Sequence, residues 1–236
     1  MEFNKLNRFN TNENQNLKHY KGELGEFDYD SSIWEVIDNH LRFKNKAVTS
    51  LPKGLELPKG CINTSYMFMN CYNLTDISPL QDWDVSDVIN TSGMFSGCFR
   101  LIDLSPLENW DTSKIINISR MFSYCIRLKD LSPLQNWDIS KVERMVDMFD
   151  GCTNLIDLSP LQNWDTSKVE DMSGMFSSCK KLTDLTPLQN WDTSKVEDMS
   201  LMFWDCEKLG CISPLEEWDT SNVKDMSGFS GMSFLK

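Results

Sequence analysis

Five aspartates, Asp76, Asp103, Asp130, Asp157 and Asp184, stand 27 residues apart, and six cysteines, Cys71, Cys98, Cys125, Cys152, Cys179 and Cys206, keep the same step. Carboxylates aligned in this way could form an acidic stripe for a cation or a basic partner. The plainer reading makes them solvent-facing residues beside a strand, where mutual repulsion costs about 1 kcal/mol per pair in water. Aligned thiols could pair as disulfides if neighbouring copies lie ~4.8 Å apart. A column beside Leu and Phe instead favours a buried, reduced ladder in which Cys packs as a small hydrophobe. Cys61 and Cys211 fall outside the column and are too isolated for a zinc site, which wants close pairs. Both histidines, His19 and His40, precede the repeated region, so no His-based triad or metal cluster can be built along it. No Gly-rich phosphate loop is present. The expectation is a protein with no catalytic activity, no cofactor and no metal.

A repeat must hold these residues. Trp164-Asp-Thr-Ser-Lys-Val-Glu-Asp-Met-Ser-Gly-Met-Phe-Ser-Ser-Cys179 returns nearly verbatim at 191–206, and Leu-x-Asp-Leu-Ser/Thr-Pro-Leu runs between copies. Trp83, Trp110, Trp137, Trp164, Trp191 and Trp218 mark an unbroken 27-residue period. That is the signature of a solenoid whose coils share one core. Met172, Met175, Phe176 and Cys179 are spaced 0, 3, 4, 7, which predicts a two-turn helix capped by Asp171 or Ser173. Leu182–Leu185, bounded by Pro187, predicts a brief strand, and Val196 opens a possible second one. Asp192-Thr-Ser, in the second Asp column (Asp84 to Asp219), reads as an Asx turn. The fold class expected is an α/β repeat solenoid with one short parallel strand and one short helix per coil. The Met and Phe columns are read as its core. Asn63-Thr-Ser, Asn90-Thr-Ser and Asn117-Ile-Ser match glycosylation sequons, but they share one column and the repeat alone explains them.

Three regions follow. Residues 1–30 are polar and asparagine-rich, so they are expected to be flexible. Residues 31–60 are read as an N-terminal cap. Ser32-Ile-Trp-Glu35 has the form of a capping box and opens a short helix over 32–40, ahead of an irregular first coil with Pro52 and Pro58. Residues 61–236 hold about six repeats, which decay after Trp218-Asp-Thr-Ser-Asn-Val-Lys-Asp-Met226.

The phrase Trp-Asp-Thr-Ser-Lys-Val-Glu-Asp-Met-Ser-x-Met-Phe-x-x-Cys resembles the BspA-like leucine-rich repeat family over residues 61–228. Members carry Phe-Asp-Thr-Ser-x-Val-x-x-Met-x-x-Met-Phe-x-x-Cys and occur on bacterial and mycoplasma surfaces, with related repeats in some protists and giant viruses. The resemblance implies a leucine-rich-repeat-like stack. This chain has Leu-x-x-Leu-Ser-Pro-Leu-x-x-Trp where the family has Leu-x-x-Leu-x-Leu-Ser-x-Phe, which implies a shorter or bent strand.

Acidic residues outnumber basic ones 35 to 23, for a formal charge of −12. That excludes the cationic footprint of nucleic-acid or anionic-membrane binding and favours basic partners. No transmembrane span and no apolar leader appear, so the expected location is inside a cell or virion, or the cell surface if a leader has been removed. The functional expectation is a scaffold that binds an unidentified protein, with Asp76, Asp103, Asp130, Asp157 and Asp184 as the candidate stripe. The alternative is a structural component of a cell-surface or virion assembly.

Overall fold

The computed structural model describes residues 16–230. The chain opens with two antiparallel hairpins. β1 (Leu17–Gly22) pairs with β2 (Gly25–Asp30), and β3 (Trp34–Ile37) pairs with β4 (His40–Phe43). Residues 17–30 thus form a hairpin where the sequence predicts a flexible segment; the rest of that prediction, residues 1–15, lies outside the described residues.

The helix expected over 32–40 is also a hairpin. Asp38 and Asn39 both take positive φ, 49° and 57°, and close a two-residue turn between Ile37 and His40. Asp and Asn are the residues that tolerate this left-handed pair, whose twist matches that of the flanking strands. Trp34, Leu41 and Phe43 are buried. Trp34 and Phe43 rest 5.9 and 5.8 Å from the ring of Phe68, so the hairpin covers the first repeat.

In the repeats, backbone N–H groups alternate between two kinds of partner. Met175, Ser177 and Cys179 donate to carbonyls three residues back, at Met172, Gly174 and Phe176. Met172, Gly174, Phe176 and Ser178 donate to carbonyls in the next repeat, at Asp198, Ser200, Met202 and Trp204, over 2.6–3.0 Å. Gly174 and Ser178 take positive φ, 61° and 56°, as the third residue of a type II turn must. The stretch expected as a helix is therefore a chain of linked turns. Every second N–H goes to the neighbouring repeat instead of closing a bond four residues back.

Nor is there a strand at 182–185. Among the described residues parallel pairing is confined to isolated bridges: Asn63, Asn90, Asn117, Arg144, Asp171, Asp198 and Asp225 are each bridged to the next, and Ser50 to Asp76. After Leu185 the chain makes a 3-10 turn, Thr186–Leu188, and its counterparts include Ser105–Leu107, Ser132–Leu134 and Ser159–Leu161. Proline suits the start of such a turn, where its missing donor is not needed.

The core runs through the repeats as columns. Phe68, Phe95, Phe122, Phe149, Phe176 and Phe203 stack with centroids 5.6–5.8 Å apart and planes within 12° of parallel. In the 27-residue column each tryptophan from Trp110 to Trp218 is buried and donates Nε1–H to a leucine carbonyl of the preceding repeat, as Trp137 does to Leu107 at 3.1 Å. Most repeats also carry three Asx turns. In one of them Asp165, Asp171 and Asp184 accept the N–H of Ser167, Ser173 and Thr186 at 3.1, 3.1 and 2.8 Å.

Candidate functional site

The five aspartates of the predicted stripe are exposed, and each lies just ahead of a 3-10 turn. Asp76, Asp103, Asp130, Asp157 and Asp184 accept the N–H of Ser78, Ser105, Ser132, Ser159 and Thr186 at 2.8–2.9 Å. Hydrogen bonds to the ionised form hold two of them below the ordinary carboxylate range. For Asp76 the Ser50 hydroxyl, 2.7 Å away, leads and Ser78 adds to it; for Asp184 the partner is Thr186.

The stripe is one row of a wider edge. In each repeat the segment 72–76, 99–103, 126–130, 153–157 or 180–184 keeps only its central leucine buried. Beside the aspartates run an apolar row, Tyr72, Phe99 and Ile126, and a basic one, Arg100, Arg127 and Lys181. Ile102 and Ile156 stand next to the carboxylates and are also exposed. A face predicted as acidic is thus mixed in charge and partly apolar.

A more acidic surface lies on another segment. Glu170, Asp171, Glu197, Asp198 and Asp225 line an open groove of about 340 Å³, with Arg144 from the repeat before and Lys224 from the last one. Arg144 reaches Asp171 at 3.6 Å and Lys224 reaches Glu197 at 2.7 Å. The same two columns hold Ile62-Asn63, Ile89-Asn90 and Ile116-Asn117 in the first three repeats, so the face changes from amide and apolar to acidic along the chain. The sequence reading took Asp171 for a helix cap and missed this groove. Its signal was two adjacent acidic columns, Glu170-Asp171 and Glu197-Asp198.

All eight cysteines are free thiols, and Cys211 alone is exposed. In the column, each thiol from Cys98 to Cys206 donates to a phenylalanine carbonyl of the preceding repeat, as Cys179 does to Phe149 at 3.3 Å. Burial pushes these thiols well above their ordinary range, Cys206 to about 12, and lifts Cys61 to about 11. Such groups stay protonated and act as packing. The structure brings one histidine to the repeats that the sequence kept apart from them: His40 Nδ1 lies 2.9 Å from Ser65 Oγ. Ser65 is buried, and among the described residues no carboxylate bonds the imidazole. The pair ties β4 to the first repeat. His19 sits on β1, 2.9 Å from Asp28.

Among the described residues no group of three or more His, Cys, Asp or Glu side chains is placed to hold a metal ion, and no helix is long and apolar enough to cross a membrane. The chain matches no curated protein and no solved structure. A family model matches it twice in succession, over residues 59–131 and 128–233, as a repeated unit would. Those two stretches take in most of the sequence, and the chain belongs to the repeat family described as Mycoplasma protein of unknown function, DUF285.

Proposed function

We propose that this chain is a non-catalytic scaffold that binds a basic protein partner, built as a leucine-rich-repeat-type solenoid of the BspA-like kind. The observation that carries the reading is the groove with five carboxylates, Glu170, Asp171, Glu197, Asp198 and Asp225, against two cations. Carboxylates gathered along a groove raise the local concentration of a cationic ligand and speed its encounter. The aspartates of the stripe have basic side chains in their own segments, Arg100, Arg127, Lys129, Lys180 and Lys181, which offset their charge.

Neutralising the groove tests this. Asp171→Asn and Asp198→Asn keep the turn, since Asn63, Asn90 and Asn117 make it elsewhere in the chain. With Glu170→Gln and Glu197→Gln added, four charges go and the backbone geometry stays. Binding of a lysine-rich peptide, followed by calorimetry at low salt, should weaken on the order of tenfold or more. Four Asp→Asn changes in the stripe, at Asp103, Asp130, Asp157 and Asp184, serve as the charge-matched control and should weaken it much less. Equal losses from the two variants would mean that net charge alone matters, and would sink the reading.

A further inference from the structure

The edge that carries the aspartate stripe has properties the groove does not. Counted over the exposed and half-exposed positions of residues 72–76, 99–103, 126–130, 153–157 and 180–184, it holds five basic and five acidic side chains, Arg100, Arg127, Lys129, Lys180 and Lys181 against the five aspartates. This is a neutral surface on a chain of formal charge −12. It also concentrates exposed apolar side chains: Tyr72, Phe99, Ile102, Ile126 and Ile156 are each between 36% and 51% exposed. The rings of Tyr72 and Phe99 touch across two repeats, with centroids 5.3 Å apart. Clustered apolar side chains of this kind mark interaction surfaces.

The edge also leaves cations available. Some cations pair with a carboxylate in the same column of a neighbouring repeat, as in Lys114–Asp87, Arg120–Asp147 and Lys224–Glu197, and on the edge Lys180 pairs with Asp205 and Glu207. Among the described residues Arg100, Arg127 and Lys129 form no such pair, and neither do Lys141, Lys168 and Lys195 off the edge. Along each segment the order is a basic or amide residue, the buried leucine, an apolar or polar residue (basic only at Lys129), then Asp: Arg100-Leu-Ile102-Asp103, Arg127-Leu-Lys129-Asp130, Lys181-Leu-Thr-Asp184.

That order is self-complementary. We infer that this edge is the contact between two copies of the chain, related by a two-fold axis running along the repeats. The operation sets Arg100 opposite Asp103 of the other copy, and Asp103 opposite its Arg100. The same exchange recurs for Arg127 with Asp130 and for Lys181 with Asp184, and Ile102 and Ile156 meet their own counterparts near the axis. So does Lys129 in the repeat between them, where Asp130 of each copy lies alongside to offset its charge. A two-fold interface requires this reciprocity, since the same patch must serve both sides. The neutral edge lets two strongly acidic chains approach, and the groove of Glu170 and Glu197 stays outside the contact.

Sedimentation velocity of the full chain over a concentration series tests the assignment. The wild type should sediment as a dimer. Arg100→Asp with Arg127→Asp alters only exposed side chains and sets carboxylate against carboxylate, so the dimer should weaken tenfold or more. Ile102→Lys should do the same by a separate route. The Asp103→Arg, Asp130→Arg variant should also be monomeric, and mixing it with the first variant should restore a mixed dimer. If losing the turn-capping aspartates unfolds that variant, the first two still decide. A wild type that stays monomeric at every concentration overturns the inference, and so does a dimer that both exposed-residue variants leave intact. Loss of lysine-peptide binding in the groove variant leaves this outcome unchanged, so the two readings fail separately.

Discussion

The ring of Tyr124 lies against Gly151 of the next repeat, so closely that a β-carbon on Gly151 would fall 2.8 Å from Tyr124 Cδ1. Gly151 also has φ of +70°. The same column pairs Asn70 with Gly97, where a β-carbon would meet Asn70 Oδ1 at 2.5 Å. A large side chain in one repeat thus leans into the space a glycine leaves in the next. Gly151→Ala should destabilise the protein by about 1–3 kcal/mol. Adding Tyr124→Ser should recover part of that loss, since Ser178 and Asp205 coexist in this column at positive φ. Denaturant titration of the single and double variants measures both values. No loss in Gly151→Ala would mean the contact is easily relieved.

Trp137 should matter more than Trp218. Trp137 stacks on Trp110 at 6.3 Å and has repeats on both sides. Trp218 stacks on Trp191, but it also lines an open apolar pocket of about 110 Å³ with Met226 and Phe229. Trp137→Ala should cost about 3–5 kcal/mol and Trp218→Ala clearly less. Equal shifts in the unfolding midpoint would contradict a stack whose interior repeats are held from both sides.

Position 144 lacks an Asx turn. Asn63, Asn90, Asn117, Asp171, Asp198 and Asp225 each accept the N–H two residues on. Arg144 offers Val146 no acceptor and instead reaches Asp171 at 3.6 Å, a surface pair worth at most ~1 kcal/mol. Arg144→Asn should restore the turn without setting another carboxylate beside Asp171, and should stabilise the protein by about 0.5–1 kcal/mol. An unchanged or lowered melting temperature would show that the turn contributes nothing here.

One thiol should react quickly in the native protein. Cys211 is exposed, while the other seven are buried, and burial raises the pKa of each of those seven. Titration with a thiol reagent near neutral pH should give one fast equivalent and seven more only after unfolding. Two or more fast thiols would count against the buried ladder.

Acid should loosen the repeats. Asp76, Asp84, Asp111, Asp138, Asp184, Asp192, Asp219 and Asp225 all have pKa values lowered by hydrogen bonds from Ser or Thr. A carboxyl group with a depressed folded pKa stabilises fully above its unfolded value, 3.8, and that stabilisation is lost as pH falls through the folded values. Asp150, raised by burial and then by Asp147, works in the opposite sense and is relieved on protonation. The melting temperature should therefore fall as the pH drops below about 4, each exposed carboxylate contributing a small share. Substituting Asn at Asp84, Asp111 and Asp138, which keeps the acceptor, should flatten the fall.

The sequence by itself determined the 27-residue period, the columns that form the core, and the turns made by the second Asp column. Each follows from residue type alone, because a buried Phe or Trp, or an Asx turn, needs only its own side chain at the same place in each repeat. The helix over 172–179, the strand over 182–185 and the helix over 32–40 were decided elsewhere. A spacing of 0, 3, 4, 7 fits two turns of helix, and it fits two linked four-residue turns equally well. What separates them is where Gly174, Phe176 and Ser178 send their N–H groups, and their acceptors lie 26 residues away at Ser200, Met202 and Trp204. At 32–40, Ser32 and Glu35 signalled a helix start locally, but β4 supplied a partner strand and Trp34 a place over Phe68. The character of the stripe was likewise a tertiary matter. Only stacking put Arg100, Ile102 and Asp103 in register with Arg127 and Asp130, turning five acidic residues into one row of a neutral edge.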